Sequence, residues 1–159
     1  MKKQLFTKAT AFVALAFAGF GSAYAQSNSP ACNNKLIAGN YAFTVQGTKL
    51  AGAGPTGPMV GVAMTKFDGK GNLSQIDTVT VDGEVVADWT HHRATGTYMV
   101  SADCTGTFTI DFTDGRPTVI TNFVVAANGE EIDTVVISAG GAQGILATGS
   151  IGKRRSSTR

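Results

Sequence analysis

The side chains able to do chemistry in this chain concentrate in one stretch, ADWTHHRATGTY, residues 87–98. It holds the single Trp and both His of the protein, with Asp88 and Arg93 beside them. Neighbours on a strand point to opposite faces, so His91 and His92 cannot ligate one metal together while the strand stays regular. Asp88, Thr90 and His92 then share one face, and Trp89, His91 and Arg93 the other. An unbroken strand to Tyr98 puts Asp88, His92 and Tyr98 on the interior side. There an inward imidazole with a carboxylate in reach can move protons. A bulge at Gly96 exchanges the faces and turns Trp89, His91 and Arg93 inward, a lining suited to an anionic or aromatic ligand. In the third arrangement the segment is a hairpin end at a rim, with exposed His and Trp89 over the opening. Neither His has a nucleophile to activate, so no catalytic residue is assigned. A large ring plus a fixed fork of donors suits recognition better. The stretch is expected at one end of the domain, and that end is expected to be the functional face.

Other chemistry is sparse. There is no nucleophile elbow, no Gly-rich phosphate loop and no metal-ligand spacing, so neither cofactor nor metal is expected. DGKGN, residues 68–72, lacks the register and closing Glu of a calcium loop and is read as a turn. The chain has 13 Lys+Arg and 11 Asp+Glu. Three Lys fall in the first 25 residues and Lys153, Arg154, Arg155 and Arg159 in the last seven. Residues 26–152 therefore hold six basic and eleven acidic side chains, a net charge of −5. An acidic body without interleaved aromatic and basic residues argues against nucleic acid as a partner.

The N-terminus has a basic start (Lys2, Lys3, Lys8), an apolar run over 11–20 and Ala23-Tyr24-Ala25 at a cleavage position. This is the pattern of a secretory signal peptide over residues 1–25, leaving Gln26 first. Export to the periplasm or the outside is expected, with no transmembrane segment in the mature chain. Cys32 and Cys104, the only cysteines, both lie in the exported part. In an oxidising compartment an even pair reads as one disulfide.

The elements that must position these residues read as strands. Gly numbers 20 and charged residues are 15% of the chain, with Thr and Val abundant, which is a β composition. TGTFTIDF sets Phe108, Ile110 and Phe112 against Thr107, Thr109 and Asp111, and NYAFTVQG alternates in the same way. Asp-Gly and Asn-Gly turns separate the apolar runs. About eight strands joined by hairpins make an all-β antiparallel meander, and without a helix to cover it the sheet hides its edges by closing into a barrel. A β-sandwich is the alternative. The expected core is Tyr41, Phe43, Val62, Phe108, Ile110, Phe112 and Phe123. One domain spans 26–152, followed by a disordered, dispensable basic tail over 153–159.

GNYAFTVQG, FDGKGNLS and GTYMVSADCTGTFTI resemble a family of small secreted β-barrel proteins of Gram-negative bacteria, over roughly residues 32–112. The resemblance implies a secreted barrel with its two Cys paired and implies no activity. More loosely the arrangement is similar to lipocalin-like and allene oxide cyclase-like barrels. The lipocalin G-x-W is absent, with Tyr41 where that Trp is expected.

Two functions follow as expectations. The first is a non-enzymatic barrel that binds a small apolar or anionic ligand, or a surface partner, at Asp88, Trp89, His91, His92, Arg93 and Tyr98. The second is a barrel enzyme of cyclase or isomerase type using His92 with Asp88 or Tyr98. A cavity inside the barrel separates both from a purely surface role.

Overall fold

In the computed structural model, residues 31–91, 93–142 and 146–156 are described. The expected signal peptide and the last residues of the expected tail lie outside them. Nine strands form one antiparallel sheet: β1 (Gly39–Lys49), β2 (Gly57–Phe67), β3 (Asn72–Val81), β4 (Glu84–Ala87), β5 (Arg93–Val100), β6 (Thr105–Phe112), β7 (Val119–Ala126), β8 (Glu131–Ala139) and β9 (Leu146–Arg154). Eight of them close a barrel in chain order, with β4 left out of the ring. The seam is β1 on β9, from Tyr41 opposite Arg154 to Lys49 opposite Leu146. The meander therefore closes on itself, as the turn spacing requires, and does not split into a sandwich.

Local chemistry sets the hairpins. Asp82 and Gly83 are both left-handed, with φ of 50° and 83°, the two-residue turn whose twist matches the strands it joins. In the β2–β3 turn the Asp68 carboxylate accepts bonds from the Asn72 side chain and from the backbone N–H groups of Asn72 and Lys70. The Asn72 side chain, then these backbone donors, hold its pKa down at about 2. DGKGN is thus a turn organised by its own first residue.

One end of the barrel is plugged. Inward positions of β1, β2, β5, β6 and β7 place Tyr41, Phe67, Tyr98, Phe108 and Phe123 in one cluster, with Phe67 edge-on to Tyr41 and Tyr98. Gly106 leaves room for this packing, since a Cβ there would sit 2.2 Å from the Phe123 ring. A short 3-10 turn, Asn34–Ile37, crosses beneath, capped by Asn33 and with Ile37 fully buried. The Tyr98 hydroxyl accepts from Gly69 N at 2.8 Å and donates to Asn34 O at 3.2 Å. Arg154 seals the floor, donating to the carbonyls of Leu36, Ala38 and Gly129. The Tyr41 hydroxyl also donates to Gly129 O, and burial pushes its pKa up to about 12. Cys32 and Cys104 are joined in a disulfide, Cα atoms 5.0 Å apart, tying the segment before the 3-10 turn to the β5–β6 turn.

Three expectations are corrected. Val62 is 45% exposed, because Ala63 takes the inward place opposite Phe43. Phe112 is only half-buried, at the upper end of β6. The boundary at Gly152 falls short: β9 runs on through Lys153 to Arg154, and Arg154 is part of the floor. A basic side chain at the end of a chain reads as solvated from sequence, and here the carbonyls left over by the 3-10 turn hold it in place.

Candidate functional site

The stretch rich in chemistry does not form a regular strand. β4 ends at Ala87 opposite Val79, and β5 begins at Arg93 opposite Ile76. Residues 88–91 therefore leave the ladder beside Asp77 and Thr78. The alternative of a bulge at Gly96 is not realised, since Gly96 pairs normally with Leu73 and Ile110.

The excursion is organised by Asp88. Its carboxylate accepts from Thr90 N at 2.8 Å and from the Thr90 hydroxyl at 2.9 Å, and its carbonyl accepts from His91 N at 3.0 Å. Trp89 N donates to the outward Thr78 hydroxyl at 3.3 Å. Trp89 is 52% exposed, and His91 and Arg93 are exposed too. The Arg93 carbonyl accepts from Thr113 N and the Thr113 hydroxyl where β6 ends, so the segment sits on the outer side of the rim. His92 lies outside the described residues.

Among the described residues, the linings expected from strand alternation are not brought together. Ala94, Tyr98 and Val100 point inward on β5 while Arg93, Thr95, Thr97 and Met99 point out. Tyr98 is buried in the floor, five residues below Arg93, or roughly 16 Å along the strand. Asp88 and Tyr98 are thus not brought together, and Trp89, His91 and Arg93 do not line the interior.

The interior has its own site. Above the aromatic floor the barrel encloses a cavity of about 870 Å³ that opens at the other end, bordered by the β1–β2 and β6–β7 connections, by β4 and by Gly140 after β8. One wall is apolar, with Phe43, Met59, Val79, Val81, Phe108 and Ile110. The opposite wall, from β7, β8 and β9, carries hydroxyls: Thr121, Thr134, Thr148 and Ser150. Thr134 and Ser150 bond each other at 2.6 Å.

A charged cluster stands where the excursion interrupts the wall. Arg116, from the β6–β7 connection, donates through both terminal nitrogens to Asp77, at 2.9 and 3.2 Å, and through Nε to Asp114 at 2.7 Å. The Asp77 and Asp114 side chains are 7% and 9% exposed. Gln75 Nε2 also donates to Asp77 and is linked through its oxygen to the Thr65 hydroxyl. The guanidinium lies 3.9 Å over the Phe112 ring. Removing β5 from beside Asp77 leaves a carboxylate on an inward face with no strand to cover it, and Arg116 fills that space.

Sequence reasoning passed over both residues. Asp77 carried a signal, being a carboxylate in phase with Leu73, Val79 and Val81 on an inward face. Arg116 carried none, since TDGRP reads as a turn whichever way its Arg points. Among the described residues no cluster of His, Cys, Asp and Glu has the arrangement to hold a metal ion.

Thr148 differs from the other wall hydroxyls. It is 4% exposed and its Oγ1 has no hydrogen-bond partner. A buried hydroxyl without a partner is costly, so Thr148→Val, which keeps the shape, is expected to raise the stability of the empty protein by about 1 kcal/mol. Chemical denaturation checks this, and a loss of stability would mean that the hydroxyl is satisfied in solution. Compared with protein-family models and with curated proteins, this chain matches none.

Proposed function

We propose that this protein is a non-enzymatic carrier or binding barrel that takes a small, mainly apolar ligand into its open-ended cavity. The observation that carries the proposal is the cavity itself: about 870 Å³ of space, apolar on one side and open at one end. That is the size and character of small-molecule sites, and eight-stranded barrels are just wide enough to hold one such ligand. The bridged Cys32 and Cys104 support export as the setting, since structural disulfides persist in oxidising compartments.

The test uses Nile red, an uncharged apolar dye whose emission rises when it leaves water. Saturable binding to the folded protein is expected. Ala63→Trp, which projects an indole from β2 into the cavity, is expected to weaken it at least tenfold with little change in the circular dichroism spectrum. Absence of saturable binding, or equal binding by the variant, would remove the proposal.

A surface role has one observation in its favour. Trp89 and the neighbouring Val85 of β4 are both more than half exposed at the rim. Exposed aromatics at a mouth suit contact with a partner or with the part of a ligand that protrudes.

A further inference from the structure

We propose that the β6–β7 connection, residues 113–118, is a flap at the barrel mouth, latched from within by Arg116, and that release of this latch sets the rate at which a ligand enters and leaves. The proposal rests on the cavity reading above and adds what guards the cavity.

The barrel wall is interrupted on this side. β3 pairs with β5 up to Ile76 and with β4 from Val79, so Asp77 and Thr78 have no ladder partner there. β6 ends at Phe112, opposite Ala94. Among the described residues no backbone hydrogen bond joins β4 to the connection, and β4 pairs with β3 alone. Beyond the Ala94–Phe112 rung the connection stands where a strand would otherwise continue, with Asp114, Gly115, Arg116 and Pro117 along the cavity.

The ends of the connection are held by backbone bonds. Thr113 N donates to Arg93 O, and Gly140 N donates to Thr118 O. Between them, Arg116 reaches across to β3 and donates twice to Asp77. Arg116 N and Nε both donate to Asp114 of the same connection, so the loop keeps its own shape and can swing as a unit. At its middle, Gly115 has a φ of 84° and open space where a Cβ would stand.

Charge holds the latch closed. The Asp77 side chain is 7% exposed and that of Arg116 23%. Swinging Arg116 away leaves a buried carboxylate on β3 without its cation, so the open form is a minor state. Replacing both partners by neutral groups of similar shape removes that penalty at β3.

The experiment measures Nile red association by stopped flow, and its dissociation by transfer into excess phosphatidylcholine vesicles. Arg116→Met combined with Asp77→Asn is expected to speed association and dissociation together, each by about tenfold. Asp77→Asn alone, which turns a charge-assisted bond into a neutral one, is expected to speed both by about threefold. The proposal is overturned if the folded double variant exchanges dye within about twofold of wild type. It is equally overturned if dissociation alone changes, since the cluster would then hold the ligand and not the flap. Should the double variant fail to fold, Asp77→Asn decides by the same criteria, with both rates unchanged or dissociation alone faster as the contrary results. Failure of the wild-type protein to bind Nile red at all would instead remove the cavity reading beneath the proposal.

Discussion

Replacing Phe67 with alanine is expected to cost about 3–5 kcal/mol, the range for deleting a fully buried aromatic ring. The ring is 1% exposed at the centre of the floor. Its centroid lies 4.9 Å from Tyr98 and 5.5 Å from Tyr41, both at edge-to-face angles, and 6.2 Å from Phe108. Each such contact adds a little beyond the area buried. The neighbours cannot collapse into the space, because Tyr41 and Tyr98 are tethered through their hydroxyls to Gly129 and Asn34. A domain of this size has about 5–15 kcal/mol of stability in all, so the variant should unfold at much lower denaturant, with a fall in Tm of about 10–20 °C. Phe67→Leu should recover more than half of the loss. A cost below about 1 kcal/mol for the alanine variant would mean that the floor is not packed as described.

Loss of the disulfide is expected to be of similar size. Cys32 and Cys104 are 72 positions apart, and closing a loop of that length is worth about 4 kcal/mol in the chain-entropy picture. The folded state should suffer as well, in a defined place. The bridge holds the segment leading into Asn34–Ile37, where Asn34 Oδ1 accepts from Val100 N at 2.7 Å and Ile37 packs under the barrel. Cys32→Ser with Cys104→Ser should therefore lower global stability by about 4 kcal/mol and speed amide hydrogen exchange first at the floor. Unchanged melting with and without reductant in the wild-type protein would contradict this.

Much of the wall was legible in the sequence, and the reason is physical. In β6 only one parity is apolar, so Phe108 and Ile110 could face one way alone. In MVGVAMTKF both parities hold apolar residues: Met59, Ala63 and Phe67 on one, Val60, Val62 and Met64 on the other. Alternation cannot choose between them, and Val62 was assigned to the wrong side. The choice is made across the ladder, where Ala63 stands opposite the inward Phe43. The site was less legible. The excursion at 88–91 depends on where β6 stops and on Asp88 organising a turn, neither of which has a periodic signature. Arg116 acquires its role only when its loop is placed beside Asp77, 39 positions away.

The seam has a kinetic meaning. Arg154 bonds to Ala38 across 116 positions of chain, and the strand that carries it both closes the ring and caps the floor. Until the last strand arrives, a growing or refolding chain has two open sheet edges and an aromatic cluster without its lid. Chains dominated by such distant pairings fold in milliseconds to seconds, far slower than helical bundles of equal stability. The same arrangement links the floor to the ring. Undoing the final strand exposes the plug and opens the wall in one event, so unfolding is expected to run as a single cooperative step.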